Sequence, residues 1–249
     1  MKNRATIVCC YNNKNLYAEM IDSLETQTEK VDVIAIDNTE GEFNSCSAAF
    51  NSVLDKIKTK FVIFSHQDIL YNSNDSLSKI LDYFEQIETY DIVGVVGRRS
   101  KSVERIGNIK QGREKKRAVT GKVNGMEECD TLDECFFGGF TKCFQCYPFS
   151  EILCNGWHMY AVERCLAALT RGNKVFVADA DLTHISAGKI DHAYNVTFYR
   201  IGKEYKSKVK FLATTCEEAP TAFGLAELFF IKRELHVIKL NLLHSLGLS

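Results

Sequence analysis

The sharpest chemical feature of the chain is His66-Gln67-Asp68, set directly after the apolar run Phe61-Val62-Ile63-Phe64 and Ser65. A carboxylate at the tip of a buried strand is costly unless a counter-charge meets it. A hard divalent cation is one such counter-charge. Oxygen ligands suit Mg²⁺ or Mn²⁺, and an imidazole beside them moves the choice toward Mn²⁺. A cation held there can bridge the oxygens of a diphosphate and offset the charge of a leaving group. The plainer alternative is that Asp68 caps a helix or closes a loop. Two other apolar runs also end in polar tips, Tyr11-Asn12-Asn13 and Asp37-Asn38-Thr39.

The cysteines point to a different chemistry and carry it less far. Cys129, Cys135, Cys143, Cys146, Cys154 and Cys165 fall close together, with one C-x-x-C at 143–146. A structural zinc site shows two tight ligand pairs, and the other spacings here are loose. The ten cysteines read as thiols in a reducing compartment.

These residues need elements to hold them. Over the first hundred residues the apolar pattern switches between two periods. Runs at 6–10, 31–36, 61–64 and 92–96 read as strands. Segments 15–26, 47–57 and 77–87 place apolar residues on one helix face. Strand–helix alternation with continuously apolar strands implies a parallel sheet covered on both faces, an α/β fold. In such sheets ligands bind at the carboxyl ends of the strands, where all three polar tips lie. No turn carries a G-x-G-x-x-G or a P-loop, which argues against a dinucleotide or ATP site of the glycine-rich kind. Further on, a strand is expected at 135–140 with close backbone approach at Gly138-Gly139. Helices at 157–169 and 194–208 and a strand at 174–178 complete the reading.

Composition sets the bounds. The chain has 249 residues, 45% of them hydrophobic and 25% charged, with net charge −1. Those values fit a globular protein and give no general case for a nucleic-acid partner. The charge is segregated, however. From Arg98 to Arg117 nine Lys or Arg residues stand against Glu104 and Glu114. That stretch reads as a mobile loop or short hairpin, about 98–125, either merely solvated or facing an anionic substrate or acidic lipid. The segment 222–248 carries Leu225, Leu228, Phe229, Leu235, Ile238, Leu242 and Leu246. It is expected to pack on the domain, to form a homodimer, or to make a peripheral membrane contact. With no apolar leader and no run of ~18 apolar residues, the expectation is a cytoplasmic protein, with the inner face of the membrane as its other station.

Taken together, the motifs resemble the family 2 glycosyltransferases of GT-A fold, and a bacterial subgroup in which His-Gln-Asp replaces Asp-x-Asp. The resemblance rests on Ala5-Thr6-Ile7-Val8-Cys9-Cys10-Tyr11-Asn12, Val33-Ile34-Ala35-Ile36-Asp37-Asn38-Thr39, Ser47-Ala48-Ala49-Phe50-Asn51 and Phe64-Ser65-His66-Gln67-Asp68. It continues through Asp130-Thr131-Leu132-Asp133, Gly156-Trp157-His158-Met159-Tyr160 and Leu182-Thr183-His184-Ile185-Ser186-Ala187-Gly188. It implies a GT-A (Rossmann-like), mostly parallel central sheet over 1–215, and leaves 216–249 as a C-terminal helical extension. It implies a donor site made by Cys10, Tyr11, Asn12, Asp37, Asn38, Ser47, Asn51, His66, Gln67 and Asp68. Mn²⁺ or Mg²⁺ would be held by Asp68 and His184, a histidine that in isolation would read as an ordinary loop residue. Trp157 and His158 would meet the acceptor, although Trp157 reads equally well as a core anchor.

The implied reaction is metal-dependent transfer of a sugar from a nucleotide-sugar, UDP-linked, to a saccharide, lipid-linked or protein acceptor. Inversion and a role in bacterial surface glycan synthesis come with the resemblance. The chain departs from the pattern at one place. Where the family has an acid after Trp-His-x-Tyr, this sequence has Ala161. Glu163 is the first candidate for the base, one turn beyond Tyr160, with His158 and Asp133 in reserve. The same departure motivates the alternative, a non-catalytic GT-A module that binds a nucleotide-sugar or glycan.

Overall fold

A computed structural model describes residues 2–245 except 103, 120, 187, 189, 223 and 224, together with the side chains of most of them. Ala187 of the last motif and Leu246 of the C-terminal segment lie outside the described residues.

Strand β1 (Ala5–Tyr11) leads through helix α1 (Lys14–Glu25) to β2 (Asp32–Asp37). Helix α2 (Cys46–Asn51) and a 3₁₀ turn (Leu54–Lys56) carry the chain to β3 (Phe61–Ser65). The short β4 (Ile69–Tyr71) and helix α3 (Ser76–Phe84) follow, then β5 (Ile92–Gly94) and β6 (Val96–Arg98). The basic stretch holds β7 (Arg105–Gly107), β8 (Lys110–Gln111) and β9 (Lys116–Arg117). Next come β10 (Met126–Glu128), β11 (Thr131–Leu132), β12 (Phe136–Phe140) and helices α4 (Thr141–Cys146) and α5 (Tyr160–Leu169). The chain closes with β13 (Val175–Ala178), β14 (Leu182–His184), α6 (His192–Tyr205), β15 (Phe211–Ala213), β16 (Glu218–Pro220) and α7 (Leu225–Ser245).

The main sheet has the order β10-β13-β5-β12-β3-β1-β2. Strands β2, β1, β3, β5 and β13 run one way, and β12 and β10 run against them. The sheet is therefore mostly parallel in strand direction, with the antiparallel β12 at its centre. Period-two alternation divides its side chains between two cores. Val8, Val62 and Phe64 join the core under α2, α4, α5 and α6. Ala5, Ile7, Phe61 and Ile63 join the one under α1 and α3. Helices thus cover both faces, as the continuous apolar strands imply.

Several expectations are adjusted. The run at 92–96 is two strands, because the chain leaves the main sheet after Gly94 and β6 pairs with β11 and β7 instead. The helix expected over 47–57 stops at Asn51 and tightens into the 3₁₀ turn. The helix expected at 157–169 starts only at Tyr160, after Met159 in a left-handed conformation at φ 67°. The basic stretch is a hairpin structure rather than a free loop: β8 pairs with β9, and β8 also lies parallel to β14. The expected boundary at 215/216 falls in the turn of the β15–β16 hairpin, which Arg98 ties to β6 through Glu218.

Gly138 shows why the glycine pair in β12 is there. A Cβ on Gly138 would lie 2.1 Å from the Val62 carbonyl oxygen, so the close approach of β12 to β3 admits only glycine.

Candidate active site

The site begins where β3 ends. Its last apolar residues are fully buried, and the chain then turns through His66-Gln67-Asp68 into β4. β4 pairs antiparallel with β14, His184 opposite Ile69, so His184 arrives beside Asp68 from more than a hundred residues away. His66, Asp68 and His184 each present one ligand atom, and these atoms lie within 4.8 Å of one another. Among the described residues this is the grouping of His, Cys, Asp and Glu with metal-site geometry. His184 Nε2 is 3.4 Å from Asp68 Oδ1, and His66 Nδ1 is 3.3 Å from His184 Nε2.

A second layer of bonds fixes these three. Ser186 donates its backbone N–H to Asp68 Oδ2 at 2.8 Å and its hydroxyl to the same oxygen, which leaves Oδ1 toward the imidazoles. Tyr160 Oη lies 3.0 Å from His66 Nε2 and donates to the Glu134 carbonyl at 3.5 Å. His66 Nε2–H then donates to Tyr160, and the tautomer left has its lone pair on Nδ1, facing His184. The Tyr160 ring is itself anchored among Phe50, Phe137 and Phe149, with centroids 5.6–6.2 Å away.

The electrostatics agree with a cation site. Burial works against charge on Asp68, but His184 and Ser186 hold its carboxyl well below the usual carboxylate range. Burial also works against charge on His184, and Asp68 outweighs it, so the His184 pKa rises. Burial, and then the nearby His184 charge, push His66 down to about 4. One carboxylate and two imidazoles are a donor set that fits a divalent cation.

His66 and His184 open onto a cleft of about 670 Å³, with Asp68 buried behind them. His66, His184, Asp133, Glu134, Trp157 and His158 all line it. Burial works against charge on Asp133, while the Thr215 hydroxyl at 2.7 Å, the two histidines and the Cys135 amide keep it below the usual range. Glu134 is pushed well above its ordinary value by burial and by Asp133, although the amides of Met159 and Tyr160 donate to it. It caps α5, which has no side-chain cap of its own, and its Oε1 makes no hydrogen bond. Trp157 is 42% exposed at the rim, not a core anchor. His158 is 3.3 Å from Asp191, the N-cap of α6. The basic stretch contributes Arg105, Lys116 and Arg117 to the same lining.

Glu163 is not among the cleft-lining residues. It is 6% exposed and accepts a hydrogen bond from Tyr205 Oη at 2.8 Å, between α5 and α6. The physical reason is that α5 is buried on every side over its first nine residues, so one turn beyond Tyr160 leads deeper beneath α6. Ala161 is likewise fully buried.

The expected donor residues gather at the neighbouring strand ends. Tyr11 and Asp37 are register partners, and Tyr11 stacks on Tyr17 with centroids 4.2 Å apart. The Thr39 hydroxyl and amide hold Asp37 down at about 2. Cys10 is half-buried one residue before Tyr11. Asn12 and Asn13 donate their backbone N–H groups to Gln67 Oε1, so Gln67 ties the β3 tip to the β1 tip. Asn38 bonds to the Phe43 backbone. Asn51 bonds to the Phe149 backbone and to Glu151, and Ser47 is completely buried, so these two stand in the framework and not on the cleft. His66, read from the sequence as an imidazole beside the ion and then assigned to the donor, lies within the metal trio. Two residues escaped the sequence reading: Tyr160 as the orienter of His66 and Glu134 as a cap, both of which depend on contacts across the fold.

The sequence pattern of the glycosyltransferase-like family matches residues 6–212. The chain belongs to that family. Its fold is the GT-A glycosyltransferase fold, shared with solved structures of low sequence identity. TarS of S. aureus, solved with UDP-GlcNAc, is 16% identical with a TM-score of 0.58, covering 83% of this chain and 66% of that one. The mannosyltransferase PcManGT of Pyrobaculum calidifontis, solved with GDP-Man and Mn²⁺, is 12% identical at 0.52, covering 83% and 63%. GalNAc-T7, solved with UDP, GalNAc and Mn²⁺, is 9% identical at 0.56, covering 83% and 51%. The chain therefore spans roughly half to two thirds of the length of those structures. No curated protein matches it in sequence. Among its described residues no helix is long and apolar enough to cross a membrane.

Proposed function

We propose that this enzyme transfers a sugar from a nucleotide-sugar, UDP-linked, to a glycan or lipid-linked acceptor, with inversion and with Mn²⁺ as its metal. The observation that carries the reading is the convergence of His66, Asp68 and His184 at the strand tips, beside a cleft of about 670 Å³. It gains support from neighbours of the same fold solved with UDP-GlcNAc, with UDP, GalNAc and Mn²⁺, and with GDP-Man and Mn²⁺. His66 Nδ1, His184 Nε2 and Asp68 Oδ1 are the atoms that would hold the ion. When bound, it supplies charge neutralisation for the diphosphate leaving group.

The chain's own residues do the rest. Tyr160 and Ser186 hold the ligand atoms in place. Tyr11 offers an aromatic face and Asp37 an ionised acceptor toward the nucleoside. Trp157 offers a ring face to a pyranose. Asp133, ionised and on the cleft, takes the acceptor proton in place of Glu163. Arg105, Lys116 and Arg117 in the cleft lining suit an acceptor that carries phosphate or carboxylate. A place in bacterial surface glycan synthesis, on the cytoplasmic side, belongs to the same proposal, as does the His-Gln-Asp subgroup of family 2.

The test is thermal shift and donor hydrolysis with a panel of nucleotide-sugars, with and without Mn²⁺. The expected result is stabilisation by UDP that requires Mn²⁺, lost in Asp68→Asn, together with slow hydrolysis of one donor. No response to any donor in either condition overturns the proposal. The binding-module reading is favoured by Ala161 alone. It prevails if UDP and Mn²⁺ stabilise the protein while neither hydrolysis nor transfer occurs with any donor and acceptor.

A further inference from the structure

Two segments far apart in the chain fix Asp133. It stands between β11 and β12, where its backbone N–H donates to the Val96 carbonyl at 2.9 Å. Its own turn supplies one side-chain partner, the Cys135 N–H, which donates to Oδ1 at 3.1 Å. The second oxygen is met from elsewhere. Thr215 donates its hydroxyl to Oδ2 at 2.7 Å from the β15–β16 turn, and both residues line the cleft. One donor on each oxygen holds the carboxylate against rotation about χ2, and each oxygen keeps a lone pair for a further donor. The sequence pattern of the family ends at residue 212, so this second donor comes from beyond it.

The hairpin does not depend on that bond for its place. Arg98 pairs with Glu218 at 3.3 Å and donates to the Thr214 carbonyl at 3.1 Å. The Thr131 hydroxyl donates to the Ala213 carbonyl at 2.8 Å. Thr214 closes the turn with its own side chain: Oγ1 accepts the amides of Cys216 and Glu217 at 3.1 and 3.0 Å and lies 2.8 Å from Tyr194 Oη. The turn thus brings Thr215 to Asp133 as a held group. Removing its hydroxyl leaves the turn's other ties intact and takes a donor from a carboxylate that faces the cleft.

We propose that Thr215 is a positioning residue: its hydroxyl aims Asp133 at the acceptor, which makes the β15–β16 hairpin part of the catalytic apparatus. The inference rests on the reading of Asp133 as the base, and its test separates the two.

The groups facing Asp133 are His66 and His184, whose charge favours its ionised form, and Glu134, which burial pushes toward its neutral form. The thiols of Cys135 and Cys216 and the Tyr160 hydroxyl also feel Asp133, and burial pushes all three up. Thr215→Val replaces none of these groups and removes one donor to the charged carboxylate, so the Asp133 pKa must rise. Carbon-13 NMR of the aspartate carboxyls in the full chain reads this without substrate, the Asp133 signal being the one missing in Asp133→Asn. The titration is expected to move up by about half a unit or more in Thr215→Val and to return in Thr215→Ser. Hydrolysis of the UDP-sugar selected by the donor panel, at saturating Mn²⁺, supplies the second readout. In Thr215→Val kcat is expected to fall about tenfold, with the acid limb of its pH profile shifted upward and the donor KM within about twofold. Thr215→Ser is expected to recover the rate. An Asp133 titration indifferent to Thr215→Val overturns the proposal. So does a rate loss that Thr215→Ser shares, or one accompanied by a fall of about 5 °C or more in the unfolding midpoint, since either marks a bond that only supports the fold. Asp133→Asn inactive beside a fully active Thr215→Val strikes down the positioning role alone, whereas Asp133→Asn with the parental kcat strikes down the base reading and the positioning role with it.

Discussion

At the scale of single residues, the site separates groups that hold an ion from groups that only support the fold. Tyr160 belongs to the first kind without being a ligand. Its ring stays in the aromatic core while its hydroxyl sets the orientation and tautomer of His66. Tyr160→Phe is therefore expected to lower Mn²⁺ affinity by about 10-fold or more while moving the unfolding midpoint little. Titration calorimetry with Mn²⁺, beside a thermal melt, checks both halves. Glu163 belongs to the second kind. Burial raises its pKa, against the opposing pull of Tyr205, Arg164 and Arg171. The folded chain thus binds this proton more tightly than the unfolded one. The stability contributed is complete below the ordinary glutamate value and is lost as pH rises through the folded value. Glu163→Gln keeps an acceptor for Tyr205 and removes the titration. Urea unfolding of parent and variant between about pH 4 and pH 8 is expected to show the variant gaining relative stability as pH rises. Its transfer activity should remain within a few-fold of the parent, whereas Asp133→Asn should lose about 100-fold or more.

At the scale of elements, the sequence was most legible where one period ran without interruption. β1 and β3 read correctly because buried parallel strands are apolar throughout; β2, at the sheet's edge and mostly exposed, was legible from its apolar run alone, and the polar tips at Tyr11, Asp37 and Asp68 lie at the carboxyl ends as the fold requires. The readings that moved did so for tertiary reasons. The split of 92–96 follows from which sheet each half can pair with, and the late start of α5 follows from Met159 at positive φ. Neither leaves a mark in apolar spacing. The glycine pair of β12 was legible as a close approach, and its partner was not, since antiparallel insertion between β3 and β5 is a property of the whole sheet. Gly138→Ala is the test at this scale. The added carbon would meet the Val62 carbonyl at 2.1 Å, and backbone in the centre of a sheet cannot yield cheaply. A loss of about 3 kcal/mol or more is expected, read as a fall in the urea midpoint at unchanged slope.

At the scale of the whole molecule, the cleft is a meeting of distant segments. His66 comes from the β3–β4 junction, Asp133 from the turn before β12, Trp157 from the lead into α5, His184 from β14 and Thr215 from the β15–β16 turn. Charge segregation along the chain brings cations into this space. The basic stretch supplies Arg105 and Lys116 to the lining, which also holds Asp133. The sequence showed the cluster of cations but not where it faces, because β8 is placed by its pairing with β14, some seventy residues on. If the acceptor is anionic, those cations act on the acceptor and leave the metal-bound end of the donor to His66, Asp68 and His184. Arg105→Glu combined with Lys116→Glu is then expected to raise the acceptor KM about tenfold, with kcat and the donor KM changed by less than about twofold. Rising salt should raise the acceptor KM of the parent in the same direction and leave the variant nearly indifferent, because screening removes an attraction the variant no longer has. Steady-state kinetics with a phosphate-bearing acceptor and a neutral analogue decides the matter. Equal effects on both acceptors would place the cations outside acceptor recognition, whereas a rise in the donor KM alone would assign them to the nucleotide diphosphate.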